Sequence, residues 1–580
     1  MKIWISGSNE TLRSIAGKNH LSIEDLLSLN PHVGHPDQVL AGQPVKLPFP
    51  LPADGGIEPR ADSLGAQPMS GAVPMGGSSP MSGAVPMGGA LPVCQAAPGP
   101  TLNNWIPLTP IEQMAQREYD VLIIGTGAGG GAVLWRLCEK WRREGKRIGI
   151  IERGDQYIPT HARNLSTMNQ ERLTAYFSYL SKPLPGSLPE YPGARQLFAL
   201  GGRTLFWYAF SPRLHEFDLV KWPIPASEME SYYGVAEEVM KVTDSFAEGS
   251  TFTEILLERL WMRGYSKAAP LPVAADIVPH SFGQIHTDMF TSSISLLARA
   301  LNQRPYDLAI NSRAVQVLQT DGKVSGVQVM SPDKTSYTLR AKTVVLSAST
   351  FETPRLLLNS GFRHPALGHY LTNQSFVQAT GIISTADFPI PWGPLNIMIP
   401  QKPETPYSVL MTGPEAFYWY PVAYERPLNG ETLVNFYGYG KVEPRYENRI
   451  TLNPDKLDEF GFPEIKVHFS FSERDWDVVG QMTEGIRRIA RDAGVRLAPR
   501  NGNPAICLTP LGDLHHDSGT CRIGNDPVTS VADTSGQIRG ISGLYVADNS
   551  ALPYIGAENQ TLTTVALAIR TADNIIRRHS

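Results

Sequence analysis

The stretch GDLHHDSGTCRIGND, residues 512–526, gathers His515, His516, Asp517 and Cys521 around a glycine turn. Three readings fit such residues. Imidazole, thiolate and carboxylate can share a metal ion. A neutral imidazole near pH 7 can take a proton from a hydroxyl. A polar loop can also do no chemistry at all. A metal site needs further ligands at set spacings, and Cys94, Cys138, Cys507 and Cys521 form no CxxC pair. No metal is therefore expected. The choice between an acid–base group and a passive loop depends on what the rest of the chain brings beside it.

A second chemical feature runs from Tyr119 to Gly154. Val121–Ile124 reads as a buried strand. Gly125, Gly127 and Gly130 then form GxGxxG, with Gly131 beyond. Val133, Leu134, Leu137, Cys138 and Trp141 follow a helical period, and RIGIIE is a second strand that ends in Glu152. Each part has a physical reason. Gly125 permits a tight turn, Gly127 lets a pyrophosphate approach the backbone, and Gly130 lets the helix pack on the sheet. The helix N-terminus offers free N–H groups to phosphates. Glu152, about twenty residues on, can accept hydrogen bonds from both ribose hydroxyls. A dinucleotide is expected. The loop alone does not choose between FAD and NAD, and Glu152 would repel the extra phosphate of NADP.

These features sit in a chain of 580 residues, too long for one ordinary core, so two or three domains are expected. The net charge of −4 argues against a nucleic-acid partner or a polybasic membrane contact. No apolar run is long enough to span a membrane. The N-terminal MKIWISGSNETLRSIAG carries no apolar core of a secretory signal, so a cytoplasmic location is expected. Residues 1–48 read as strand, helix, helix, strand, with Ser22 as an N-cap before Ile23, Leu26 and Leu27. Residues 49–117 read as a linker in which PMSGAVPMGGSS is followed by PMSGAVPMGGAL. Such Pro/Gly/Ser/Met sequence does not fold alone, and either tethers passively or lies along the catalytic body as a ribbon. From residue 118 strands and helices alternate to the C-terminus.

The segments NETLRSIAG, SIEDLLSLNP and PDQVLAGQPVKLP resemble a LysM module. That resemblance implies binding of N-acetylglucosamine-containing glycans, with wall or spore association as an alternative location. A docking or oligomerisation role stays open.

The catalytic body carries four separated motifs in order: the glycine loop, LGGRTLFWYAFSPRLHEFDL, AKTVVLSASTFETPRLLLNSG, and the tail HDSGTCRIG with GLYVADNSALPYIGAENQTLTT. Together they resemble the glucose–methanol–choline (GMC) oxidoreductases, and within them the branch of pyranose oxidase and bacterial glycoside oxidases. Cholesterol oxidase shares several tail features. The resemblance implies a mixed α/β fold: a Rossmann-type FAD-binding domain over 118–220, 300–370 and 510–580, and an antiparallel-sheet substrate domain over 221–299 and 371–509. It implies FAD contacts at Gly125, Gly127, Gly130, Glu152, Arg203, Thr204, Val315, Asp548, Asn559 and Thr561. Asp548 also reads as a cap, since Asp548–Asn549–Ser550 is rich in capping residues. Pyranose oxidases attach the flavin to a histidine where this chain has Phe206. A phenyl ring has no nucleophilic nitrogen, so non-covalent FAD is expected.

In the family's H-x-x-G turn the histidine takes the substrate proton, which implies His516 as base. Asn559, where relatives carry His or Asn, would donate to the same oxygen. Gln560 replaces a common proline. No role is assigned to His515. The implied substrate is a sugar or glycoside, with a hydrophobic alcohol or sterol as alternative, and oxygen or a quinone takes the electrons. Aromatic residues Tyr407, Phe417, Tyr418, Trp419, Tyr420, Tyr424, Phe436, Tyr437 and Tyr439 either stack on a sugar ring or fill a core. Two readings of other classes remain, an NAD-dependent dehydrogenase and a wall or spore-coat binding protein with a vestigial oxidoreductase body.

Overall fold

The computed structural model describes residues 2–5, 10–18, 21–31, 33–39, 44–47, 103–277, 289–390, 392–414 and 430–579. The chain divides into two units, Met1–Ala97 and Pro98–Ser580. In the first, strands Lys2–Ile5 and Pro44–Leu47 pair antiparallel, and helices Leu12–Lys18 and Ile23–Leu29 lie between them in sequence. The Ser22 hydroxyl accepts the Asp25 N–H at 3.1 Å, which caps the second helix as its sequence requires. Leu12, Ile15 and Leu26 are fully buried. The expected βααβ order is the one that forms. The repeats of the expected linker lie outside the described residues, as do Phe417, Tyr418, Trp419, Tyr420 and Tyr424.

The second unit contains two seven-stranded sheets. In the first, Asp307–Ala309, Ile148–Ile151, Glu118–Ile124 and Ser336–Leu346 run parallel in that order, and Leu544–Val546 adds to Ser336–Leu346. Taken in chain order the parallel strands read 3-2-1-4-5, the arrangement of a Rossmann sheet. Ile148–Ile151, Val121–Ile124 and Thr343–Leu346 are buried at every position, the unbroken pattern of a sheet covered on both faces, while the outer part of Ser336–Leu346 alternates. The hairpin expected at Asp321–Gly322 forms, with Arg313–Thr320 and Lys323–Met330 antiparallel and positive φ at both turn residues (52° and 71°).

The second sheet is antiparallel and is built on Ser375–Ser384, Glu431–Gly440, Tyr407–Gly413 and Leu395–Ile399. Helix Glu473–Ala493 packs on it. Ser472 and Asp475 form its capping box and Gly494 ends it in the left-handed region. Gly438 and Gly440 make this contact possible, since a Cβ at either would lie under 3.0 Å from Met482 or Val478.

Two stretches depart from the expected division. Residues 103–117 were expected in the linker, but helix Ile111–Ala115 forms there and Ile106, Ile111 and Met114 are buried in the core of the parallel sheet. Three apolar side chains at these spacings outweigh the Pro-rich composition nearby. Helices Ala226–Met240 and Ser293–Gln303, from the stretch 221–299, pack against helices Thr561–His579 and Ala128–Lys140 of the nucleotide-binding side.

Candidate active site

One cavity of about 1300 Å³ opens between the two sheets. Single small-ligand sites run to roughly 1,000 Å³, so this space exceeds what a single small molecule needs. Gly125, Gly127, Glu152, Arg203, Thr204, Val315, His515, His516, Asp548, Asn559 and Thr561 all line it. Among the residues expected at the site, Gly130 alone stands behind its wall.

The glycines divide by function. Gly125 has φ 102°, and a Cβ there would lie 2.3 Å from the Ser347 carbonyl oxygen. This is the crossover between Glu118–Ile124 and Ser336–Leu346, where ligands bind in such sheets. At Gly129 and Gly130 a Cβ would meet the Ala547 and Gly125 carbonyl oxygens at 1.8 and 1.9 Å. Gly127 is different: a Cβ there meets nothing within 4 Å. It caps helix Ala128–Lys140 and opens that helix's free N–H groups to the cavity. Ser293 holds the loop in place by donating to the Thr126 and Gly127 carbonyls at 2.7 and 3.0 Å.

The Glu152 carboxylate accepts from the Thr126 N–H and hydroxyl at 3.1 and 2.7 Å and from the Gly154 N–H at 2.9 Å. Of about four acceptor positions on a carboxylate, that leaves one free. Burial raises its pKa. Asp548 is fully spent. Its carboxylate accepts from Ser349 N–H, Thr353 hydroxyl, and the Ser550 N–H and hydroxyl. It therefore acts as the expected cap, and a cofactor could meet Asp548 only through its main chain. The Thr204 hydroxyl also turns inward, donating to the Gly201 carbonyl and accepting from the Ser293 N–H. Val315 sits at a bulge in its hairpin, where the register shifts between Ala314 and Gln316.

The histidine loop is anchored from three sides. Arg203 donates to the His515 carbonyl at 2.9 Å and lies 3.4 Å from the Asp517 carboxylate. Asp517 also accepts from the Tyr191 hydroxyl at 2.6 Å and the Asn373 amide at 3.0 Å. The two histidines part as their adjacency requires. His515 has φ 60°, its ring lies 5.4 Å from that of Phe177, and its buried Nδ1 has no partner among the described residues. His516 pairs Nδ1 with Gln374 Oε1 at 2.8 Å and stacks on Tyr439 with centroids 5.8 Å apart. Its Nε2 makes no hydrogen bond among the described residues, nor does the Asn559 side chain. Burial, then the Arg203 charge, push both histidines down to about 3, so both are neutral near pH 7. Cys521 is buried and its thiol is raised well above its usual range, chiefly by burial. Among the described residues no three of His, Cys, Asp and Glu gather as metal ligands would.

Residues 193–376 and 444–568 match the two GMC oxidoreductase domains, and residues 7–48 match the LysM domain. The chain belongs to the GMC oxidoreductases. It is 26% identical over 402 residues to a C-glycoside 3-oxidase of Arthrobacter globiformis, covering 66% of this chain and 75% of that one. It is 23% identical to a pyranose 2-oxidase of Tricholoma matsutake, over 66% and 74% of the two chains. A pyridoxine 4-oxidase from Mesorbium loti shares the fold, with a TM-score of 0.57 at 16% identity, over 80% and 99% of the two chains. GMC oxidoreductases are FAD enzymes, and the open Gly127, the free N-terminal N–H groups of helix Ala128–Lys140 and the one remaining Glu152 acceptor fit that cofactor.

Sequence reasoning missed Gln374, which touches the candidate base. It also missed the buried group in which the Gln401 amide bridges Asp218 and Glu558 at 2.8 and 2.6 Å. No motif marks either one. Their partners lie more than a hundred residues away in the chain. No described helix is long and apolar enough to cross a membrane.

Proposed function

We propose that this GMC oxidoreductase oxidises a CH–OH group of a sugar or glycoside. His516 Nε2 takes the hydroxyl proton and the Asn559 amide donates to the same oxygen. The observation that carries this reading is that both groups line the cavity and neither is spent on the protein. FAD, when bound, supplies the hydride acceptor. Gly127 and the helix N-terminus behind it would hold the pyrophosphate, Glu152 a ribose hydroxyl, and Val315 the adenine side. Asp548 and Thr561 would flank the cofactor by their main chains, with Arg203 and Thr204 fixing the loops beside it. Burial keeps His516 neutral, so a lone pair stands ready at Nε2 without prior deprotonation.

The names of the relatives, a C-glycoside oxidase and a pyranose oxidase, support a sugar ring as substrate. So do Tyr437 and Tyr439 on the cavity wall, because aromatic faces stack on such rings. Phe206 is buried against Tyr176 and Phe177, which supports non-covalent FAD. Electrons then pass to oxygen or a quinone. The division into an FAD-binding domain at 118–220, 300–370 and 510–580, joined by helices Ala226–Met240 and Ser293–Gln303, and a substrate domain from the rest of 221–299 with 371–509 belongs to the same proposal, as does glycan binding by the LysM domain, which would associate the enzyme with cell wall.

The test is anaerobic bleaching of the purified flavoprotein by a panel of hexoses, methyl glycosides, simple alcohols and sterols. Rapid bleaching by hexoses or glycosides is expected. Bleaching by alcohols or sterols alone would overturn the substrate class.

A further inference from the structure

Gln374 and His516 are cross-strand partners. Thr372 and Ser518 exchange both backbone hydrogen bonds, at 3.0 and 2.9 Å, as an antiparallel bridge. In that register Asn373 faces Asp517 and Gln374 faces His516, and alternation sends the two pairs to opposite sides. The side chains agree, since Asn373 donates to Asp517 at 3.0 Å and Gln374 meets His516 at 2.8 Å.

The Gln374 amide has only one possible orientation. Its Nε2 donates to two main-chain carbonyls, Gly556 at 3.2 Å and Glu558 at 2.8 Å. A flipped amide would set its oxygen against both of those acceptor oxygens. The Oε1 atom therefore faces His516, and an acceptor there demands that Nδ1 carry the imidazole proton. The lone pair is then at Nε2. Gln374 is 4% exposed, so water does not substitute for it. The same amide grips the segment 556–558, which leads directly into Asn559.

We propose that Gln374 is a positioning residue for the reaction. It fixes His516 as the Nδ1–H tautomer and ties the loop carrying Asn559 to the loop carrying His516. This assignment rests on the reading of His516 as the base.

The holoenzyme labelled with ¹⁵N-histidine tests it without any substrate. The His516 resonances are identified by their loss in His516→Ala. A single neutral tautomer protonated at Nδ1 is expected in the wild type. Gln374→Leu should populate both tautomers while FAD stays bound, and Gln374→Glu, which keeps an acceptor toward Nδ1 but gives up the donors to Gly556 and Glu558, should hold the Nδ1–H form while its flavin reduction still slows. Flavin reduction by the hexose and methyl glycoside panel should slow about a hundredfold in Gln374→Leu, the scale of a lost alignment. A wild-type His516 protonated at Nε2 overturns the proposal, and so does an unchanged tautomer in Gln374→Leu. If Gln374→Leu does not fold, the wild-type spectrum and Gln374→Glu still decide. Should the tautomer be as stated while His516→Ala reduces its flavin normally, the base reading falls and the positioning role with it. If no panel member reduces the wild type, the substrate class falls and the tautomer still decides for Gln374.

Discussion

Gly127 and Gly130 lie three residues apart in one loop, and alanine at each should fail in opposite ways. A Cβ at Gly130 would lie 1.9 Å from the Gly125 carbonyl oxygen and 3.3 Å from the Ser347 Cβ. Backbone must move to admit it, and overpacking of this kind costs about 3 kcal/mol, the upper part of the usual range. A Cβ at Gly127 meets no protein atom within 4 Å, and this glycine's φ of −66° suits any residue. Losing a glycine there stiffens the unfolded chain by about 0.4–1 kcal/mol, which roughly offsets the up to about 1 kcal/mol by which alanine is a poorer N-cap than glycine. The apoprotein should thus be nearly unchanged in stability. Its methyl group, however, enters the space reserved for the pyrophosphate. A clash of about 3 kcal/mol there lowers FAD affinity roughly a hundredfold. The assay is a pair of measurements on each variant, guanidinium unfolding of the apoprotein and flavin absorbance per folded chain. Gly127→Ala should unfold like the wild type and carry little flavin, while Gly130→Ala should unfold early. A Gly127→Ala protein with its full flavin complement would refute the cradle.

The remaining predictions concern the flavin linkage and the buried titrating groups. Acid precipitation should leave the flavin in the supernatant, and a yellow pellet would contradict the role given to Phe206. His161, His515 and His516 are each held down to about 3 in the fold, by burial first, against 6.5 when unfolded. Below pH 6.5 the unfolded chain takes up protons that the folded chain refuses. Stability should therefore fall from pH 6.5 toward 3 by about 1.4 kcal/mol per pH unit for each histidine. His515→Gln should make that slope shallower in chemical denaturation, and an unchanged slope would place His515 in solvent. Glu558 is pushed up to about 8, first by burial, from 4.5. Between those values the folded chain holds a proton that the unfolded chain releases, so this group costs stability as pH rises. Glu558→Gln should gain on the wild type between pH 5 and 8, and parallel stability curves would count against a neutral Glu558.

The local features of this chain were legible because each is written in adjacent residues. Val121 to Glu152 spells a strand, a turn, a helix and a second strand, and Asp321–Gly322 spells its hairpin. Ser22 and Asp25 fix a cap three residues apart. Among the glycines of the loop, the room for a Cβ at Gly127 is likewise what the motif predicts. Residues 103–117 read as linker because Pro-rich composition masks the spacing of Ile106, Ile111 and Met114. At the site, the cap that Asp548 makes with Ser550 was legible, but the loss of the rest of its carboxylate to distant partners was not. Two serines and a threonine, Ser349 and Thr353 among them nearly two hundred residues away, consume its carboxylate. Gln374 was invisible for the same reason. Its meaning comes from a register shared with residues 516–518, and nothing near Gln374 in the sequence announces that pairing. The double histidine shows both sides: the H-x-x-G spacing singles out His516, but only the positive φ at His515 shows how the two rings diverge.

The central claim is that His516, and not its neighbour, takes the substrate proton. Anaerobic stopped-flow reduction of His516→Ala and His515→Ala by the hexose and glycoside panel tests it most directly, with both variants first shown to carry FAD. His516→Ala should reduce its flavin about 10²–10⁴-fold more slowly than the wild type, the usual contribution of a general base, while His515→Ala should keep a rate within about tenfold of wild type. Fast reduction in His516→Ala, or loss confined to His515→Ala, would contradict the account.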